Sequence, residues 1–150
     1  MLSSAFLLLH VVTMFTVIAF HSGPQILTFV AARTGQPTVV AGIAGMYARS
    51  GRAVPPLGIA GALFGIATGL TGGFNLLAPW LLIAYGLFGA LVVYGGVVSF
   101  PYIVRLGEAV REGRPNLPEL LGRRLTVIVA LDALIYVLIV SDMVLKPFGT

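Results

Sequence analysis

Two histidines and one aspartate are the residues of this sequence whose type and setting can do chemistry. His10 and His21 are the only histidines, and both fall in the apolar stretch from Leu7 to Pro24. They are eleven residues apart, which on a helix puts them about 20° apart around the axis and about 16 Å apart along it. Asp132 sits in a second apolar run, with Tyr136 one helical turn further on. A carboxylate near the middle of a bilayer costs about 2.5–3.5 kcal/mol on insertion scales, so it must face a bundle interior and be either protonated or paired. Counted at 1.5 Å per residue, His10 lies about 12 Å deep from one side, and Asp132 reaches a similar level from the other. Depth therefore predicts a His10–Asp132 pair, either a polar packing contact or a proton relay that includes Tyr136. His10 is also the candidate cofactor ligand: an imidazole at that depth can bind haem iron, with Met, Tyr, an open position or a second copy of the chain opposite. His21 stands beside Ser22-Gly23-Pro24, and proline removes a helical hydrogen bond and clashes one turn back. The expectation there is a kink near the membrane surface, with His21 satisfying freed carbonyls.

These side chains need elements to hold them, and composition says what kind. Of 150 residues, 58% are hydrophobic and 9% charged, too few charges to clothe a water-soluble domain, where about 25% is usual. A crossing helix needs about 20 apolar residues, and four segments qualify: about 4–29, 56–76, 80–106 and 124–145. Proline at Pro55-Pro56 suits the start of the second helix, and Pro147 follows the end of the fourth. The predicted fold is an all-α membrane protein, a four-transmembrane-helix bundle in one domain. The stretch Thr38–Ala48 is apolar but too short to span, so it adds a short interfacial or docked helix in the first loop. The second loop, Arg105–Arg124, carries both charge signs and two prolines, and reads as a helical extension and a turn. The N-terminal run lacks a basic leader region and exceeds a signal h-region in length, so it reads as a retained helix.

Arginine placement sets the expected orientation. Arg33, Arg49 and Arg52 fall in the first loop, and Arg105, Arg111, Arg114, Arg123 and Arg124 in the second. Only Lys146 and the terminal amine lie opposite. That asymmetry predicts both long loops in the cytoplasm and both termini outside, across a cytoplasmic membrane. The same placement makes the net charge of +4 a topology signal rather than a nucleic-acid surface. Trp80 then marks the outer interface and Tyr102 the inner one.

Gly58, Gly61, Gly65, Gly69 and Gly72 recur every three or four residues, a stripe along the second helix that lets another backbone approach closely. Gly86, Gly89 and Ala90 on the third helix are the expected facing surface; a planar cofactor or a partner helix is the alternative. Asp142 and Lys146 form an expected surface pair. Cysteine is absent, which excludes thiolate chemistry, and no P-loop, dinucleotide fingerprint, zinc motif or nucleophile elbow occurs. Lack of intramembrane Glu and Lys weakens a drug-antiporter or Schiff-base reading. With no catalytic constellation, the balance leans to a non-enzyme.

Leu9-His10-Val11 in the first helix, the arginine-bearing loop helix, the glycine-rich second helix and Met143 to Pro147 as Met-x-x-Lys-Pro together carry a resemblance. The chain resembles the bacterial family of predicted integral membrane proteins termed domain of unknown function 2269. In layout it is similar to copper-resistance D proteins and to HemJ-type protoporphyrinogen oxidases, and the HemJ likeness implies His10 as a haem ligand. Three functions follow as expectations: an accessory or scaffolding subunit that self-associates or joins a larger membrane complex, a haem- or porphyrin-binding redox protein using His10, and a small proton-coupled transporter using His10 and Asp132.

Overall fold

The computed structural model describes residues 1–114 and 117–146; the turn expected at Pro115-Asn116 and the residues from Pro147 onward lie outside them. Within that range the chain is all helix and loop. We number the helices α1 (Leu2–Arg33), α2 (Pro37–Ser50), α3 (Val54–Gly72), α4 (Pro79–Tyr94), α5 (Phe100–Arg111) and α6 (Leu125–Leu145). A 3₁₀ turn joins α2 to α3, and a π-helical turn at Gly95–Ser99 joins α4 to α5. Four helical units result, Leu2–Arg33, Pro37–Gly72, Pro79–Arg111 and Leu120–Leu145, the last kinked at Gly122, each long and apolar enough to cross a membrane. This is a four-helix bundle and a multi-pass membrane protein.

Local sequence explains the punctuation. Pro37, Pro55 and Pro79 occupy first-turn positions where a missing N–H costs nothing. Gly35 and Gly73 take positive φ just past α1 and α3, the left-handed turn that closes a helix end. Pro101 follows the π-helical turn; it lacks the N–H that would meet the Val97 carbonyl, and the widened turn accommodates its ring.

Packing follows an antiparallel register. α1 lies along α3, where Ser3, Met14 and His10 meet Gly72, Gly61 and Gly65 in turn. The glycine stripe thus receives α1 at Gly61, Gly65 and Gly72, while from the third unit only Phe88 reaches it, at Gly58; among the described residues Gly86 and Gly89 have no neighbour within 4 Å of a hypothetical Cβ. At the arginine-rich end α2 packs on α5, with Gly107 against Ala44. Here Ala31, Val40, Ala44, Tyr47, Ile103, Leu106 and Leu125 form the buried core. The expected loop helix is therefore docked, and it merges with the second span. α6 closes the bundle against α1 and α4.

Candidate functional site

α1 carries a dense polar segment on its buried side. His21, Gln25 and Thr28 are 5%, 1% and 0% exposed, at the spacing of one helical face. Pro24 is buried beside them and α1 runs through it as a single helix. The predicted role of His21 as a surface residue tending freed carbonyls is not what this segment does.

His21 is the hub. Its Nε2 lies 3.2 Å from Asp132 Oδ1, and its Nδ1 lies 2.8 Å from the Tyr47 hydroxyl. Ser22 donates to the other carboxylate oxygen, Oδ2, at 3.1 Å. The Gln25 amide nitrogen also lies 3.2 Å from His21 Nε2. Asp132 is 2% exposed and belongs to the 21-residue α6, about 10 Å from the Leu125 end and about 20 Å from Leu145. An aspartate at that depth needs donors, and it has two, the imidazole and the serine.

Two further features fix the hub. Gly95, in the π-helical turn, faces the imidazole so closely that a Cβ would lie 2.9 Å from His21 Cε1. π-Helical turns frequently mark functional sites, and this one brings a bare backbone against the ring. Tyr47 is fully buried, with Phe100 edge-on at 5.1 Å between centroids. Tyr136, as its spacing from Asp132 predicts, stands beside the pair, 6.4 Å from the His21 ring. Among the described residues its hydroxyl has no partner, and neither have Gln25 Oε1, Thr28 Oγ1 and Ser99 Oγ.

The expected His10–Asp132 pair is not formed. His10 Nδ1 donates instead to the Gly61 carbonyl at 2.7 Å, and its ring rests on Gly65. Register gives the reason. Ser22 with Asp132, and Arg33 Nη2 donating to Thr126, fix the antiparallel alignment of α1 and α6. That alignment sets His10 level with the last turn of α6, about 18 Å from Asp132 along the axis. α1, at 32 residues, is longer than a span requires, so depth counted from its first residue misplaces His10.

Haem fits this arrangement poorly. The Gly61 bond leaves His10 Nε2 as the ligating atom, but Met14 and the His10 ring fill the glycine stripe on which a flat macrocycle would lie. Both ring nitrogens of His21 are engaged. Among the described residues no three His, Cys, Asp or Glu side chains gather as a metal site.

At the other end of α6, Asp142 and Lys146 do not pair. Lys146 turns left-handed (φ 44°) and its ammonium lies over the Trp80 and Phe74 rings, at 5.3 and 5.6 Å. Trp80 is buried under it, and Asp142 is buried with both carboxylate oxygens unpartnered among the described residues. Tyr102 is half-buried, and donates to the Leu120 carbonyl.

Beside the pair, a cavity of about 220 Å³ opens between α1 and α6. Ile18, Ile26, Val129 and Ala133 wall it, and Ser22, Gln25, Asp132 and Tyr136 supply its polar groups. Comparison of the chain with family models, curated proteins and solved structures finds no match.

Proposed function

We propose that this chain is a small proton-coupled membrane protein in which His21 and Asp132 hold and exchange the proton. The observation that carries this reading is the buried imidazole with both ring nitrogens engaged, one by a carboxylate and one by a phenol. Nε2 has room for one proton or one lone pair. With the proton on Nε2 it donates to Asp132, and Nδ1 accepts from Tyr47. A second proton goes to Nδ1, whereupon Tyr47 Oη becomes the acceptor and its own hydrogen turns elsewhere. Each arrangement leaves the ring hydrogen-bonded, which is the condition for loading and unloading a proton at low cost in a dry interior.

Orientation belongs to the same reading: the arginine-rich end, where α2, α5 and the second loop gather, faces the cytoplasm of a bacterial cell, and both termini lie outside. An accessory or scaffolding role is a second reading, favoured by the exposed face of α4 where Gly86, Gly89 and Ala90 leave room for another helix.

pH-difference infrared spectroscopy on protein in liposomes tests the proton site. Between about pH 4 and 9, a carboxyl C=O band is expected to rise reversibly on acidification in the wild type and to be missing in Asp132→Asn. The His21 share of the imidazole bands should disappear in His21→Phe, leaving that of His10. A wild-type spectrum with neither an Asp132-dependent carboxyl band nor a His21-dependent imidazole band refutes the proposal. For the second reading, Gly89→Leu should reduce self-association in bilayers; unchanged association removes it.

A further inference from the structure

We infer that the cavity between α1 and α6 is a binding site for a lipophilic organic cation that enters from the bilayer and competes with the proton for Asp132. This deepens the proton reading and rests on it. Position gives the route. The cavity lies at the outside of the bundle, and Ile26 and Ala133 on its walls are exposed, so in a membrane its mouth meets hydrocarbon rather than water. Size limits the occupant. At about 220 Å³ it is smaller than the 300–1,000 Å³ typical of sites for drug-sized ligands, so it admits a compact head while the remaining apolar body stays in lipid.

Charge selects the head. Among the described residues no lysine or arginine pairs with Asp132. The titratable groups that face it are His21 on α1, Tyr47 on α2, Tyr94 on α4 and Tyr136 on its own helix. With His21 neutral, the cluster carries one uncompensated negative charge in an apolar surrounding, which a monovalent cation offsets. The Tyr136 ring, part of the lining, gives that cation an aromatic face. Gln25, 1% exposed, is also in the lining, and among the described residues its side-chain carbonyl oxygen has no partner. A neutral alcohol would use the carbonyl but not the charge or the ring. Ser22, which shares the lining, donates to Asp132 Oδ2, and its hydroxyl can turn aside by rotation about one bond. A proton on the pair cancels the same charge, so cation and proton exclude one another. The carboxylate role that a membrane glutamate would serve is filled here by Asp132.

The test uses the full chain in lipid nanodiscs, with labelled decyltrimethylammonium as probe, decanol as its neutral counterpart and protein-free nanodiscs as baseline. Saturable binding of the cation and not of the alcohol is expected, with affinity falling toward tenfold per pH unit as the site takes up its proton. Asp132→Asn should weaken binding more than tenfold. Ile18→Trp, which fills the cavity and keeps the carboxylate, should do the same and serves if the aspartate variant does not fold. Equal binding of decanol, affinity independent of pH, or indifference to both substitutions overturns the inference. Absence of cation binding with the Asp132 infrared band intact overturns the cation site alone, whereas loss of both overturns the proton site as well.

Discussion

Replacing His21 by leucine separates a charged Asp132 from a neutral one by the size of the stability loss. In the native arrangement Asp132 has two side-chain donors, His21 Nε2 and Ser22 Oγ, and is 2% exposed. His21→Leu removes the first and strands the carboxylate with the serine alone. For an ionised group the relevant scale is the insertion cost of an aspartate, about 2.5–3.5 kcal/mol; breaking a buried ion pair from one side gives a similar 3–5 kcal/mol. For a neutral group the scale is the interhelical hydrogen bond in a bilayer, about 0.6 kcal/mol on average and about 1.7 at most. His21→Leu should therefore cost about 3 kcal/mol, and Asp132→Asn, which keeps the shape and an acceptor oxygen, about 1 kcal/mol. The double variant should cost less than His21→Leu alone, because no charge is left behind. Unfolding in mixed micelles, followed by circular dichroism or steric trapping, gives all three values as one double-mutant cycle. Losses near 1 kcal/mol for both single variants, adding simply in the double, would refute an ionised carboxylate and reduce the cluster to neutral packing bonds.

Other substitutions test the neighbouring geometry. Gly95→Ala drives a methyl into the imidazole, 2.9 Å from Cε1, and should cost about 1–3 kcal/mol; the same change in a His21→Ala background should be nearly neutral in the unfolding assay. His10→Ala removes the bond to Gly61 and the packing of the ring on Gly65 and should cost about 1–3 kcal/mol, leaving the acid-induced infrared band of Asp132 in place; loss of that band would reinstate the His10–Asp132 pair. The chain lacks cysteine, so single cysteines at Glu112 and Asn75, both exposed, report orientation in intact cells. An impermeant maleimide should label Asn75→Cys only; labelling of Glu112→Cys alone would invert the topology.

The four spans, their proline starts and the docked loop helix were legible in the sequence because each depends on local composition: apolar length, first-turn proline, an apolar segment too short to cross. The glycine stripe was legible as a packing face, but its partner was not. A short turn between the second and third units predicted that they would face each other there, whereas α3 lies against α1 and leaves Gly86 and Gly89 exposed. Asp132 announced itself through its cost in lipid. Its partner could not be chosen by helical face, since His10 and His21 are only about 20° apart around α1. Depth was the remaining criterion, and it depends on where a helix meets the membrane, not on where it begins. The missed signal is the company each histidine keeps. His10 stands alone among apolar residues, and one backbone carbonyl satisfies it. His21, Ser22, Gln25 and Thr28 place four polar side chains in eight residues of one helix, more than one carbonyl or one turn of water-facing surface can satisfy. Three of these four are buried, and a buried group of that size in lipid demands partners from several helices at one level. α2 supplies Tyr47 and α6 supplies Asp132, while the glycine of the π-helical turn lets the ring fit between them. Density of polar groups along a span, more than depth or face, locates the level at which such a bundle converges.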